Sequence, residues 1–203
     1  MPVRLLNVKV IGLTGIFGSG KSTIAGFLKD MGAVIVDADQ IVHQLYLPGG
    51  SGFQQVVSLF GSAMVDVNCH LDRRKLADII FADEAARIKL NTAVHPLVTR
   101  QLKVLLAEHR RRHTPVVIVE APLLIEAGWV PLVDEVWVTT APREAIFRRL
   151  NQKYDMSYSS VLARIHAQLP VREQIRHASQ VISTDTSLER LKTKTQRLWQ
   201  GIT

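Results

Sequence analysis

The chain has little of what marks secreted or membrane proteins. Cys69 is the only cysteine in 203 residues, so no disulfide can form within the chain and nothing favours an oxidising compartment. No stretch approaches the ~20 continuous apolar residues that a membrane-spanning helix needs. The segment Met1–Asn7 lacks the charged and apolar pattern of a signal peptide. We therefore expect a cytoplasmic protein with no membrane partner.

Several signatures of macromolecular binding are also missing. The sequence has no zinc-ligand spacing, no aromatic RNA-binding signature, no internal repeat and no N-K-x-D motif of the kind that reads guanine in GTPases. The net charge is +7, which fits a nucleic-acid binder and equally an enzyme that acts on polyphosphates. The densest basic run, Arg110–Arg112, ends a helical stretch, where the helix dipole favours solvated cations. We expect no nucleic-acid partner.

Apolar runs of strand length alternate with segments of helical periodicity. Four runs predict buried strands, at Val8–Leu13, Val34–Val36, Val116–Val119 and Glu135–Thr140, and a short fifth is expected at Val181-Ile182. This alternation predicts an α/β fold with an open parallel sheet flanked by helices. The stretch between the second and third strands is almost wholly helical and too long for one crossover. It predicts an inserted substrate-binding subdomain, in which one helix breaks at His95-Pro96.

The first strand leads into a phosphate-binding motif. The segment Gly15–Ser22 matches G-x-x-x-x-G-K-[ST] between a predicted strand and a predicted helix, which is the context that the motif requires. In such loops the glycines let backbone N–H groups face phosphates, the lysine reaches the β and γ phosphates, and the hydroxyl binds Mg²⁺. The motif therefore predicts ATP and Mg²⁺ as cofactors, with Ser22 as the metal ligand. The predicted nucleotide-binding residues are Gly15, Gly18, Ser19, Gly20, Lys21, Ser22 and Thr23.

Two carboxylates follow the second predicted strand. Asp37 and Asp39 are two residues apart and would point the same way in an extended segment. One of them can accept the proton of an acceptor hydroxyl as it attacks the γ-phosphate. An equally good interpretation is that Asp39 only caps a helix starting near Gln40.

The order of motifs along the chain resembles the dephospho-CoA kinase family, from about Ile11 to Val181. The matching elements are Gly12–Gly15 with Gly18–Thr23, Asp37–Asp39, Pro48-Gly49, Leu71–Arg73, Phe81, His95-Pro96, Glu120–Glu126, Arg149-Leu150 and Ala163–Gln168. Each element outside the phosphate loop is weak alone, whereas their shared order and spacing are specific.

The resemblance implies ATP-dependent phosphorylation of the ribose 3′-hydroxyl of dephospho-CoA. It implies a P-loop NTPase-type core (about 1–45, 97–147 and 179–203), a helical CoA-binding insertion (about 46–96) and a helical lid (about 148–178). Carried onto this chain, Asp39 corresponds to the general base, and Lys21 and Arg149 complete the predicted catalytic residues. Asp37, His95 and Glu120 are the predicted substrate-side residues.

These secondary assignments have simpler alternatives. His95 could only end a helix, Glu120 and Glu126 could be ordinary loop carboxylates, and Arg149 could lie on a solvated helix face. Four positions depart from the family pattern: Ile16 in the loop, Ile146 and Lys153 around the lid, and Thr184 near the end. Ile16 is β-branched and disfavours a left-handed backbone, so a loop needing one there must bend differently.

Two other functions remain open from the sequence. One is another P-loop small-molecule or nucleoside-monophosphate kinase, since shikimate-type kinases also place D-x-D after the second strand. The other is a non-catalytic nucleotide-binding module. The long helical insertion favours a larger acceptor than shikimate. The sequence gives no indication of the oligomeric state.

Overall fold

A computed structural model of the chain describes residues 8–154 and 156–202, apart from the side chains of residues 153 and 154. Lys153 is one of the four departures from the family pattern, and its side chain is not among those described. Within the described part of the chain, no helix is both long enough and apolar enough to cross a membrane.

Five strands form one open sheet. They are β1 (Lys9–Gly15), β2 (Val34–Asp37), β3 (Val116–Glu120), β4 (Glu135–Thr140) and β5 (Gln180–Ser183), in the order β2-β3-β1-β4-β5. The central strand β1 pairs in parallel with β3 and β4, and β4 pairs in parallel with β5. The β3 residues Val116–Val119 are all buried, as expected for a strand covered on both faces. The predicted parallel α/β sheet is confirmed.

Nine helices are found among the described residues. They are α1 (Lys21–Asp30), α2 (Ala38–Leu45), α3 (Ser51–Phe60), α4 (Arg73–Ala82), α5 (Glu84–Arg111), α6 (Arg143–Tyr154), α7 (Tyr158–His166), α8 (Val171–Arg176) and α9 (Leu188–Gln200). Side-chain caps explain where several of these helices begin. The Asp72 carboxylate accepts from the Lys75 N–H, and the Ser187 hydroxyl accepts from the Arg190 N–H.

The helix break predicted at His95-Pro96 is wrong, because Pro96 lies inside the continuous helix α5. Pro96 removes one backbone donor, at a typical cost of about 3 kcal/mol. Buried apolar side chains recur every four residues on both sides of it, at Leu90, Val94, Val98, Leu102 and Leu106, each at most 4% exposed. Each such side chain contributes about 1.5–3 kcal/mol on burial, so the stripe outweighs the proline.

The main core lies between the sheet and the helices α1 and α9. Ile11, Leu13, Ile118 and Trp137 from the sheet pack in one cluster with buried residues of these helices, including Ile24, Leu28 and Leu191. Trp129 is also buried, and Trp199 packs half-buried against the main cluster. The tryptophans are packing residues.

The chain separates into two compact units. One consists of the residues up to Val36 together with those from Leu105 onward, and it contains the phosphate loop and helices α6 to α9. The other, Asp37–Val104, contains α2, α3, α4 and most of α5. This helical unit includes more residues than the insertion predicted at about 46–96. The boundaries of a CoA-binding insertion and of a lid stay predictions.

Candidate active site

The phosphate loop joins β1 to α1 through three glycines with positive φ. Gly15, Gly18 and Gly20 have φ of 146°, 76° and 96°. A Cβ on Gly15 would approach the Thr139 carbonyl oxygen to 2.5 Å, so both backbone conformation and space require glycine there. Within the described residues, Cys69 and His113 are the non-glycine residues with positive φ. Ile16 therefore does not need the left-handed conformation that its side chain would resist.

Lys21 is folded along this loop. Its side chain is 9% exposed, and its Nζ donates to the carbonyl oxygens of Gly15 at 2.9 Å and Ile16 at 3.3 Å. Ser19 is buried, and its hydroxyl shares a 2.6 Å hydrogen bond with that of Thr139 at the end of β4. These contacts hold the ammonium group inside the curve of the loop, where phosphate oxygens bind in such motifs.

The side-chain oxygens of Ser22 and Glu120 lie within hydrogen-bond distance of each other. The Ser22 hydroxyl donates to Glu120 Oε1 at 2.7 Å, and Glu120 ends β3 directly beside β1, in register with Leu13. Mg²⁺ prefers hard oxygen ligands and usually takes only one or two from the protein, the rest coming from water and substrate phosphates. The pair therefore fits a nucleotide-bound magnesium ion. No group of three or more His, Cys, Asp or Glu side chains suited to a metal is found within the described residues.

The two carboxylates after β2 have different surroundings. The Asp37 carboxylate caps α2 by accepting the N–H groups of Asp39 at 2.8 Å and Gln40 at 3.3 Å. Helix α2 begins at Ala38, so the assumption that both residues lie in one extended segment is wrong, and the capping role falls to Asp37 instead of Asp39. Asp39 lies in the first helical turn with an exposed side chain.

His95 lies within α5, just before Pro96, and does not end the helix. Its backbone carbonyl accepts a hydrogen bond from the Thr99 hydroxyl at 2.7 Å, and burial lowers the pKa of its imidazole. Elsewhere in the same unit, burial raises the pKa of Tyr46 to about 12, against the opposing charge of Arg73. Arg73 in turn lies 2.7 Å from the His43 ring nitrogen Nδ1. Sequence reasoning did not single out Tyr46.

Arg149 contacts the residue that departs from the family pattern near the end of the chain. Its guanidinium donates to Thr184 Oγ1 at 3.0 Å and to the Thr184 carbonyl at 2.7 Å. Thr184 is 2% exposed, and its hydroxyl contacts the Ser19 carbonyl of the phosphate loop at 2.7 Å. Arg149 is thus joined to the loop through Thr184. This arrangement, which the sequence did not predict, argues against a purely solvated face.

Two other departures meet in a second apolar cluster. Ile16 packs with Ile146 and Leu150 of α6 and with Val161 and Ile165 of α7, all buried. Phe17 packs against this cluster, and the Arg164 guanidinium lies 5.3 Å from the centre of its ring, in cation–π range. The loop is therefore in direct contact with the helices that follow β4.

A comparison with family models decides the relationship. The dephospho-CoA kinase model matches residues 9–190, which is most of the chain. The chain belongs to the dephospho-CoA kinase family. It is 38% identical to the dephospho-CoA kinase of Dehalococcoides mccartyi, covering 94% of this chain and 96% of the relative, and 40% identical to that of Moorella thermoacetica, covering 95% and 92%.

Solved structures share the fold of this chain. A crystal structure from Thermus thermophilus has a TM-score of 0.79 and 33% identity, covering 97% of this chain and 99% of its own. The dephospho-CoA kinase of Campylobacter jejuni has a TM-score of 0.69 at 23% identity, covering 95% and 96%. A shikimate kinase from Acinetobacter baumannii, with a TM-score of 0.56 at 15% identity over 98% and 94%, shows that this family shares its fold with other P-loop kinases.

Proposed function

We propose that the protein transfers the γ-phosphate of ATP to the ribose 3′-hydroxyl of dephospho-CoA, giving coenzyme A and ADP. The observation that carries this proposal is the Ser22–Glu120 pair beside a glycine loop that curls around Lys21, in a chain of this family. We propose ATP and Mg²⁺ as the nucleotide and metal, and the cytoplasm as the location.

The loop supplies charge stabilisation during transfer. Its backbone N–H groups at the start of α1, together with the Lys21 ammonium, stabilise the charge on the β and γ phosphates. We assign Thr23, in the first turn of α1, to the α-phosphate. Ser22 and Glu120 would hold Mg²⁺, which would supply neutralisation of the phosphate charge.

The acceptor hydroxyl needs a base. We propose Asp39 for this role because its side chain is exposed in the first turn of α2, at the position that corresponds to the general base of the family. We assign Asp37 and His95 to the substrate side. Arg149 is proposed to stabilise the transferring phosphate, with Thr184 holding its guanidinium near the loop.

The test is ADP release by the purified protein with Mg²⁺-ATP, with and without dephospho-CoA. Adenosine, AMP and shikimate serve as alternative acceptors. We expect release that depends on dephospho-CoA, with coenzyme A as the product. Stimulation by another acceptor, or none by dephospho-CoA in folded protein that binds ATP, would reject the proposal. The protein would then be either a P-loop kinase with a different acceptor or a non-catalytic nucleotide-binding module.

A further inference from the structure

We propose that Gln168 is a positioning residue that holds the phosphate loop in the shape that binds nucleotide. The proposal rests on the proposed function only in taking this loop as the ATP site. Gln168 lies two residues beyond the end of α7, and 146 positions separate it from the last residue of the loop motif, so no local pattern connects the two.

Both ends of the Gln168 amide bind backbone groups. Its Oε1 accepts the Phe17 N–H at 2.6 Å, and its Nε2 donates to the Pro122 carbonyl at 2.8 Å and, more weakly, to the Gly15 carbonyl at 3.4 Å. Because one partner is a donor and the other two are acceptors, the orientation of the amide is fixed. A carboxylate could satisfy only the Phe17 side of this arrangement.

The Gly15 carbonyl oxygen also accepts a hydrogen bond from Lys21. Gly15 O accepts from Lys21 Nζ at 2.9 Å, so the amide of Gln168 and the ammonium that we assign to the phosphates meet at one oxygen atom. Pro122 follows Glu120 by two residues in the segment after β3. Gln168 therefore links the first half of the loop to the segment that carries the proposed metal-side carboxylate.

Gln168 is itself held firmly from outside the loop. The next residue, Leu169, donates its N–H to Glu126 Oε1 at 2.8 Å and accepts at its carbonyl from Gln174 Nε2 at 2.9 Å. Gln174 is fully buried. One turn before Gln168, Arg164 lies against the Phe17 ring. The chain around Gln168 is thus anchored by hydrogen bonds to residues outside the phosphate loop.

Two substitutions separate positioning from simple packing. Gln168→Met keeps the length and removes both hydrogen-bonding ends. Gln168→Glu keeps the acceptor and turns a carboxylate oxygen towards two carbonyls. These carbonyl oxygens disfavour the ionised carboxylate of the variant, whereas its protonated carboxyl group can again donate one hydrogen bond to them. Gln196→Glu, at an exposed position of α9, is the matched control.

Three readouts are measured on the full chain. The first is the dissociation constant of Mg²⁺-ADP by calorimetry. The second is the pair of KM values for ATP and dephospho-CoA, and both of these readouts are taken between pH 5.5 and pH 8. The third is hydrogen exchange of the Phe17 amide in protein without nucleotide. Thermal melts show which variants are folded.

We expect Gln168→Met to weaken ADP binding and raise the KM for ATP by about tenfold to a hundredfold, from the loss of two or three hydrogen bonds. The KM for dephospho-CoA should change less than threefold or so, and the Phe17 amide should exchange at least about tenfold faster. Gln168→Glu should regain affinity for ADP as the pH falls, because protonation restores the donor. Gln196→Glu should show neither change.

Unchanged ADP affinity and unchanged Phe17 exchange in Gln168→Met would overturn the proposal, as would equal changes in both KM values. If Gln168→Met does not fold, the pH dependence of ADP binding by Gln168→Glu decides, and a flat profile overturns the proposal. Failure of the proposed function is separate: the wild type would then leave dephospho-CoA unphosphorylated while the exchange and ADP measurements still report on Gln168.

Discussion

Truncation of Ile146 is expected to weaken both the fold and the phosphate loop. Ile146 is fully buried in α6 and packs against Ile16 of the loop. It also covers the loop backbone, since a Cβ placed on Gly18 would come within 2.7 Å of Ile146 Cγ2. Ile146→Ala removes the side-chain atoms that pack against the loop, so we expect lower stability together with weaker ATP binding.

The size of the effect follows from the burial. Replacing a fully buried isoleucine by alanine typically costs 2–5 kcal/mol, and we expect about 3 kcal/mol here. In a chain of this length, that corresponds to a fall of about 6–12 °C in the melting temperature. The matched control is Ile88→Ala in α5, where the side chain is 56% exposed and the cost should be within about 0.5 kcal/mol.

The assay is chemical denaturation of both variants, with the KM for ATP measured in parallel. Ile16→Ala and the double variant complete a cycle, and we expect a coupling energy above about 0.5 kcal/mol, since the two side chains pack in one cluster. A cost for Ile146→Ala no larger than that of Ile88→Ala, or additive effects of the two truncations, would refute the argument that the two departures support each other.

Four further substitutions test the site. Lys21→Ala should nearly abolish turnover, which steady-state ADP release would show, because it removes the ammonium group from the loop. Asp39→Asn should lower kcat by orders of magnitude while calorimetry still detects ATP binding; a near-normal rate would move the base to Asp37. Glu120→Gln should raise the Mg²⁺ concentration for half-maximal rate by about tenfold, and an unchanged Mg²⁺ titration would contradict the metal-side role. Gly18→Ala, at φ 76° and with its new Cβ 2.7 Å from Ile146 Cγ2, should lower stability by at least about 1–2 kcal/mol, measured by denaturation, and an unchanged midpoint would contradict both the strained backbone and the close contact.

Local patterns predicted most of the fold. Buried β-branched runs located β3 and β4, and the spacing of glycines and Lys21 located the phosphate loop, because these signals depend on residues near each other in the chain. The prediction failed at Pro96, where a local rule about proline was outweighed by the burial of side chains on both sides. It failed also at Asp37 and Asp39, where the helix starts earlier than the apolar periodicity indicated.

The sequence by itself determined that this is a P-loop kinase of the dephospho-CoA kinase family, since the motif residues and their order can be recognised without knowledge of any tertiary contact. Only the tertiary structure decided that Gln168 and Thr184 contact the phosphate loop and that Ile16 and Ile146 pack together. The physical reason is that these contacts join residues more than a hundred positions apart. Their hydrogen bonds and packing depend on how α6, α7 and the segments that follow α7 and β5 lie against the phosphate loop, and one sequence contains no direct signal of that arrangement.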